Sequence, residues 1–368
     1  MTTTASPPVL DCAGSGLEIG RAHGEQARDA VRQALERWRE RTAGPAGRSS
    51  AAALVGASPL LDTVRRLTPA IADELRGIAE GAGVPFADVV AYNCMDEQWW
   101  MQRHDRLHGC SVIGAWTAAG GHLTQNMDLP PFMDGSQVVL RVRPDDGPAQ
   151  LLLSAAGLVG LTGVNEHGVA VCVNTLGMLR TDPRGLPVAA VIRSALGHRT
   201  RTEAVAFLHR VPHASGQHYA VGDGDGLDSL ECSAGGTVQV PASVPGGVRL
   251  AHTNHPLTSG DLDPDALREV DQEGRLRDSR ARLRFLADRL GSTTTRSGAE
   301  ALLADDTVPI RMPGTGGLPL RTFGTVSYRL GEHPHARFRL GGPVPAGDGG
   351  PWLVPGWHFA DSPEAAVR

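Results

Sequence analysis

The stretch HGCSVIGAW, residues 108–116, marks the point at which the predicted structure of this chain changes. Upstream of it, as in residues 60–82, apolar residues recur at three- and four-residue steps, which predicts amphipathic helices over the first hundred residues. Downstream of it, residues 111–174 form short β-rich pieces broken by glycine, which predicts a meander of about six antiparallel strands. The helix-to-strand boundary therefore falls at Gly109 and Cys110.

Helices and strands continue to alternate in blocks through the rest of the chain. Helical patterns cover residues 186–197, 201–211 and 263–290, and predicted strands lie between and after them, up to residue 340. Blocks of strands that alternate with blocks of helices are typical of stacked sheets covered by helices, an α+β arrangement.

Composition excludes several classes of function. The chain has 368 residues, of which 41% are hydrophobic, and its net charge is -5, so it has the material for a core but no basic excess for a nucleic acid partner. No stretch approaches the roughly 18 apolar residues of a membrane span, and residues 1–10 do not have the pattern of a secretory signal. We expect a cytoplasmic protein without a membrane or nucleic acid partner.

The cysteine and histidine patterns argue against a disulfide framework and against a metal site. Five cysteines lie far apart without any C-x-x-C pair, and His252 and His255 lack a third ligand at a suitable spacing. The 35 basic residues are all arginine. An amine that acts as a base near neutral pH would therefore have to be a chain-terminal α-amine, with an ordinary pKa of about 8.

The dipeptide Gly109-Cys110 offers such an amine. Glycine has no Cβ to hinder attack on its carbonyl carbon and tolerates strained backbone angles, which suits an N-to-S acyl shift by the Cys110 thiol. If the bond between them broke, Cys110 would carry both a thiol and an α-amine, and the amine could act as its general base. The alternative is that Cys110 is a buried small hydrophobic residue.

The chain also resembles a known family through short motifs in the same order and at matching spacing. They occupy residues 19–24, 74–83, 92–93 with Glu97, 108–111, 125–128, 163–169, 252–255 and 321–323. These motifs resemble the isopenicillin N acyltransferase-like family of autoproteolytic N-terminal nucleophile hydrolases. Two positions depart from its pattern: Cys94-Met95-Asp96 stands where Arg-Thr is often found, and Ser111 follows the nucleophile where threonine is expected.

The resemblance implies a fold and a maturation step. The fold would be a four-layer αββα sandwich of two antiparallel sheets. The precursor would cleave itself between Gly109 and Cys110, leaving a helical segment of residues 1–109 and a catalytic segment of residues 110–368 that together complete one domain.

The resemblance also implies roles for individual residues. Asp128 would hold or orient the Cys110 amine, unless it merely closes a strand. Asn254 would donate its side-chain N–H to the developing oxyanion, with an Asx turn as the alternative. Arg321 would pair with the aspartate, and its alternative is an unpaired surface arginine.

Five further residues are candidates for substrate binding. Aromatic rings near the cleavage point can wall an acyl pocket, and polar side chains at strand ends can line a site, although such residues also serve as core residues or turn caps. These candidates are Trp99, Trp100, Trp116, Asn126 and Asn174.

The expected function is that of a cysteine amidohydrolase or acyltransferase. Cys110 would attack the amide or thioester carbonyl of a small specialised-metabolite or aminoacyl substrate, and water or an amine would resolve the acyl-enzyme. We expect no cofactor, with acyl-coenzyme A as the co-substrate if acyl transfer is the reaction. One alternative is an unprocessed papain-like enzyme that uses Cys110 with His167 or His252. The other is a non-catalytic ligand-binding protein on the same fold.

Overall fold

The computed structural model describes residues 9–42, 51–56, 58–102, 109–291, 295–305, 308, 310–312, 320–341 and 351–359. Before Gly109 the elements are β1 (Val9–Gly14), α1 (Gly16–Gln26), α2 (Arg28–Thr42), α3 (Ala51–Gly56), α4 (Leu60–Leu67), α5 (Pro69–Ala82), α6 (Phe86–Asn93) and α7 (Met95–Gln102). Helices thus follow one initial strand, which the helical pattern of this segment did not predict.

The middle of the chain contains most of the strands. They are β2 (Gly109–Thr117), β3 (Gly120–Leu129), β4 (Gln137–Pro144), β5 (Gln150–Ala155), β6 (Thr162–Asn165) and β7 (Ala170–Thr175), followed by the helices α8 (Val188–Ala195) and α9 (Arg201–Arg210) and the strands β8 (Gln217–Asp223), β9 (Gly226–Ser233) and β10 (Gly236–Gln239). The remaining elements are β11 (Ser243–Val244), β12 (Gly247–His252), α10 (Pro264–Gln272), α11 (Arg275–Leu290), α12 (Arg296–Leu303), β13 (Arg321–Leu330) and β14 (His335–Leu340).

Two sheets stack face to face between helical layers. The first has the order β1-β4-β5-β6-β7-β8-β9-β10, and the second β11-β12-β2-β3-β13-β14. Strand β2 packs on β7 and β9, helix α9 covers β8 to β10, and α11 and α12 cover β12, β2 and β3. The expected α+β fold, a four-layer αββα sandwich, is therefore confirmed. Its sheets are antiparallel except at one edge, where β1 runs parallel to β4.

The predicted six-stranded meander is wrong in one respect. Strands β2 and β3 form a hairpin in the second sheet, whereas β4 to β7 belong to the first. The change of sheet follows Leu129, where Pro130 and Pro131 open a short 3-10 turn, Pro131–Met133. Proline has no N–H to donate to a ladder, so the chain leaves the sheet there.

The N-terminal segment is attached to the rest of the protein by specific contacts. In addition to the β1–β4 pairing, the ring Nε2 of His23 accepts a 3.0 Å hydrogen bond from the Gly157 N–H. The buried carboxylate of Glu74 forms a 2.8 Å ion pair with Arg193 of α8. Among the described helices, none is long and apolar enough to cross a membrane.

Helices α1 and α5 cross with their backbones in direct contact. A Cβ placed on Gly20 would lie 1.9 Å from the carbonyl oxygen of Glu74, and one on Gly77 would lie 2.2 Å from that of Leu17. These distances are far below van der Waals contact, so only glycine permits this crossing. It brings α1 and Glu74 into the positions from which they contact Gly157 and Arg193.

We predict that Gly20→Ala lowers the free energy of unfolding by about 3 kcal/mol, the upper end of the usual cost of overpacking, because the new methyl group must push two backbones apart. Urea denaturation of the purified variants measures this loss. The matched control is Gly56→Ala on α3, where a Cβ would meet nothing within 4 Å. Equal stabilities of the two variants would contradict the packing argument.

Candidate active site

Cys110 lies at the start of β2 and faces a cavity between the two sheets. The cavity measures about 500 Å³, counting the space at its mouth. Its wall is mainly apolar, with Leu129, Leu158, Leu161, Val173, Val188 and Ile192 among its residues, and it includes the polar side chains of Asn93, Asp96, Thr175 and Gln217. Burial, together with the charge of Asp128, raises the pKa of the Cys110 thiol to about 12.

The pleat of β2 separates this cavity from a polar cluster on the other side of the strand. Cys110 and Val112 belong to the main core, whereas Ile113 packs against helices α11 and α12. Because side chains alternate along a strand, Gly109 and Ser111 face the same helical layer as Ile113. The Cys110 thiol therefore lies on one face of β2, and the polar cluster lies on the other face.

Asp128 occupies the helical side of the hairpin, directly across from Gly109. Its Oδ1 accepts a 2.7 Å hydrogen bond from the Thr322 hydroxyl. A Cβ on Gly109 would lie 3.0 Å from its Oδ2, so the carboxylate borders the backbone that precedes Cys110. Burial raises the pKa of Asp128 to about 7, against the opposing effects of the Thr322 hydrogen bond and the nearby Arg282 guanidinium.

Asn254 contacts the backbone nitrogen of Cys110. Its Oδ1 accepts hydrogen bonds from the Cys110 N–H at 2.9 Å and from Arg282 Nη2 at 2.8 Å. The amide orientation is fixed because both of these partners are donors, and Nδ2 donates to the Thr175 carbonyl oxygen at 3.2 Å. The atom that Asn254 presents to Cys110 is thus an acceptor, whereas the amide donor points to a residue of the cavity wall.

Arg282 of α11 joins these groups from the helical side. Its Nη1 donates to the Cys110 carbonyl oxygen at 2.7 Å and to Ser111 Oγ at 3.1 Å. The side chain is buried, and burial lowers its pKa from the ordinary arginine value while Asp128 acts in the opposite direction. One guanidinium therefore fixes the first residues of β2 and the position of Asn254.

The segment that carries Asn254 is held at both ends. On one side the Ser279 hydroxyl of α11 accepts a 2.8 Å hydrogen bond from the Asn254 N–H and contacts His255 Nδ1 at 2.8 Å. On the other side the Glu231 carboxylate contacts His252 Nε2 at 3.0 Å and accepts from the Thr258 N–H at 3.0 Å. These contacts leave Asn254 little freedom to move away from Cys110.

The predicted pairing of Arg321 with Asp128 is wrong. Arg321 forms an ion pair with Asp134 instead. The cause is a register shift in β13: Thr322 pairs with Asp128, and Gly324 pairs with Met127. This bulge turns the Thr322 hydroxyl to Asp128 and directs the neighbouring Arg321 elsewhere.

Three of the five candidate substrate-binding residues lie outside the cavity wall. Trp116 is six residues along β2 from Cys110, about 20 Å away, and its ring N–H donates to Gly224. Asn126 faces the helical layer, where it donates to the Leu303 and Ile310 carbonyl oxygens. Asn174 contacts His218 at 2.7 Å. The side chains of Trp99 and Trp100 lie outside the described residues.

Among the described residues of the cavity wall there is no histidine. Both ring nitrogens of His252 are occupied, Nε2 by Glu231 and Nδ1 by the carbonyl oxygen of Thr253. His167 lies in the turn between β6 and β7. The described part of the chain also contains no group of three or more His, Cys, Asp or Glu side chains that could hold a metal ion.

Sequence reasoning missed Arg282 and Thr322. Arg282 is one of several arginines in α11, but it follows Leu276 and Ser279 at three-residue steps on the buried face of that helix, and this periodicity was a usable signal. Thr322 depends on the bulge in β13, for which we find no signal in the sequence.

The sequence of this chain matches a known protein family. The family model for acyl-coenzyme A:6-aminopenicillanic acid acyl-transferase matches residues 116–311, more than half of the chain. The chain belongs to this family. The match contains Asp128, Asn254 and Arg282, and Cys110 lies six residues before it.

Individual proteins that are similar to this chain share less than a third of its aligned residues. The acyl-coenzyme A:6-aminopenicillanic-acid-acyltransferase 40 kDa form of Emericella nidulans is 27% identical over 67% of this chain and 69% of its own. Penicillin V acylase from Agrobacterium tumefaciens is 15% identical, covering 63% of this chain and 82% of its own, with a TM-score of 0.39. A conjugated bile acid hydrolase variant from Clostridium perfringens is 13% identical over 63% and 89%, with a TM-score of 0.41.

We predict that Asp128 makes the uncleaved protein less stable as the pH rises. Its pKa is about 7 in the folded chain against the ordinary 3.8, so the folded state binds more protons between these values and its stability falls as the pH rises from about 4 to about 7. In a Cys110→Ala background, adding Asp128→Asn should gain about 2–4 kcal/mol relative to the parent between pH 5 and pH 8.

Urea denaturation of both proteins at the two pH values measures this gain. Other titrating groups are common to both and cancel in the difference. Asp225→Asn, in the exposed turn between β8 and β9, controls for the loss of a charge alone. A gain that is the same at both pH values would contradict the assignment.

Proposed function

We propose that this protein is an amidohydrolase or acyltransferase that activates itself by cleavage before Cys110 and then uses Cys110 as an N-terminal nucleophile. One observation carries the proposal: the Cys110 thiol opens on a cavity while its backbone nitrogen is bound by Asn254 Oδ1. Any buried backbone N–H needs an acceptor, but here the acceptor is a side-chain amide that Arg282 also holds, and it is in place to bind an α-amine freed at Cys110.

In the cleavage step, the Cys110 sulfur attacks the Gly109 carbonyl carbon. A C–S bond forms, the C–N bond breaks, and the thiol proton passes to the departing nitrogen. Water then hydrolyses the thioester, leaving the Gly109 carboxylate and a free Cys110 amine. Asp128 is suited to carry the proton, because its Oδ2 borders Gly109 and its pKa of about 7 allows both protonation states near neutral pH.

In turnover, the Cys110 α-amine replaces Asp128 as the general base for the thiol. Asn254 Oδ1 accepts a hydrogen bond from this amine, and Arg282 holds Asn254 in place. The thiolate attacks the substrate carbonyl, the amine portion leaves, and water or a second amine resolves the thioester. The substrate class is a small specialised-metabolite or aminoacyl amide or thioester, with acyl-coenzyme A as the acyl donor in a transfer reaction.

The two products of cleavage would stay together without a disulfide, since the five cysteines are free. Strand β1 of the first fragment pairs along β4 of the second. Asn93 adds hydrogen bonds to Gly157 at 2.8 Å and Val159 at 2.9 Å. Together with the His23 and Glu74 contacts, these interactions bury polar groups that would be unsatisfied if the fragments separated.

We predict that intact-mass analysis of the purified protein finds two fragments, residues 1–109 and 110–368. Cys110→Ala should give one inactive chain of full mass, because the attacking sulfur is gone. Cys172→Ala, a buried cysteine of β7 outside the cavity wall, is the control and should be processed normally. A full-length wild-type chain after long incubation would favour a ligand-binding protein or an unprocessed thiol enzyme.

Two substitutions at Asn254 separate the contribution of its Oδ1 acceptor, which holds the amine, from that of its N–H donor to the oxyanion. Asn254→Ala should lower kcat by roughly 100-fold or more, the usual loss for one oxyanion donor. Asn254→Asp keeps an acceptor for the amine but removes the N–H donor. If the donor stabilises the oxyanion, Asn254→Asp should lose as much activity as Asn254→Ala, measured on correctly processed protein.

A largely active Asn254→Asp protein would reassign the residue to holding the amine through Oδ1. Wild-type kcat in Asn254→Ala would exclude both contributions.

A further inference from the structure

Asp96 places a carboxylate in the otherwise mainly apolar wall of the Cys110 cavity. It is the only charged residue among the described residues that line this cavity. Its side chain is partly exposed, whereas the neighbouring Met95 and Glu97 are buried. The carboxylate therefore meets the open space of the cavity and is not enclosed by protein.

The orientation of this carboxylate is fixed through one oxygen. Oδ2 accepts hydrogen bonds from Thr175 Oγ1 at 3.0 Å and from Gln217 Nε2 at 2.9 Å. Both donors come from strands of the first sheet and both line the same cavity. The contacts that hold Asp96 thus use Oδ2, and the described residues supply no ion pair to the carboxylate.

The Asp96 carboxylate affects which ligands bind in this mainly apolar cavity. Apolar walls lower the local dielectric, so a negative charge there attracts a cation more strongly than it would in water. It also disfavours a neutral chain of the same size, which would bury the carboxylate without a partner. The cavity is therefore built to distinguish a cationic ligand from an isosteric neutral one.

The acyl group of a substrate must lie against the Cys110 thiol, and the thiol borders this cavity. In the proposed function, which this inference rests on, the acyl group remains attached to Cys110 as a thioester while the amine leaves. We propose that Asp96 selects substrates whose acyl group carries a cationic nitrogen, an ammonium group at the end of a short chain.

The test measures binding and turnover separately. Calorimetry on the Cys110→Ala protein compares short ω-aminoacyl p-nitroanilides with alkanoyl p-nitroanilides of equal chain length. We expect the cationic ligands to bind more tightly, and Asp96→Asn in the same background to reduce their preference over the neutral ligands by at least about 10-fold. Asp225→Asn, in the exposed turn between β8 and β9, removes the same charge elsewhere and should leave the preference unchanged.

The second measurement is kcat/KM for the same ligands on processed protein with and without Asp96→Asn, where the preference should change in the same direction. Three results would overturn the inference. The preference for cationic ligands could survive Asp96→Asn, the protein with Asp96 intact could prefer the neutral ligands, or neither ligand class could bind. Because the binding arm uses a protein without the nucleophile, it decides the role of Asp96 even if no turnover is found. If the binding preference depends on Asp96 but no turnover is found, the result contradicts only the proposed function.

Discussion

The alternation of side chains at the start of β2 is the constraint on which the site depends. It turns the Cys110 thiol to the cavity between the sheets and leaves Gly109 and Ser111 on the helical side, where Asp128 and Arg282 lie. A one-residue shift in the register of β2 against its neighbours would exchange these faces. Pairing with both β12 and β3 holds the register, so the charged groups approach the backbone of Cys110 without crowding the space in front of its sulfur.

Holding this arrangement requires buried charges, which proteins tolerate only when they are well bonded. Arg282 distributes its donors over the Cys110 carbonyl, Ser111 and Asn254. Glu231 receives backbone N–H groups of the loop after Asn254, in addition to its contact with His252. In this cluster of described residues, Asp128 Oδ2 and Arg282 Nε have no hydrogen-bond partner, and Asp128 also borders the proposed cleavage point. One of the two unsatisfied atoms thus lies where a proton would have to move.

The sequence was informative wherever the relevant contact is local or repeated along the chain. The helix-to-strand change at Gly109 follows from a switch of periodicity, and the order of motifs implied the αββα fold. The sequence was not informative where contacts between residues far apart in the chain decide the structure. Hairpin β2–β3 has the same alternating pattern in either sheet, so its sheet was assigned wrongly. Arg321 was paired wrongly with Asp128 because the bulge in β13 cannot be read from local composition.

The Asp128 carboxylate has opposite consequences for the Cys110 thiol before and after the proposed cleavage. In the continuous chain the Cys110 nitrogen is a neutral amide, and the Asp128 charge adds to burial in raising the pKa of the thiol to about 12. Freed as an α-amine, the nitrogen has an ordinary pKa of about 8, and its ammonium form would be a cation next to both groups. A nearby cation stabilises a thiolate, and Asp128 in turn stabilises the ammonium. Asp128, which together with burial keeps the thiol protonated in the continuous chain, would therefore become the counter-ion of the base after the proposed cleavage. The proposed cleavage would also leave the Gly109 carboxylate, a second anion, directly across the hairpin from Asp128.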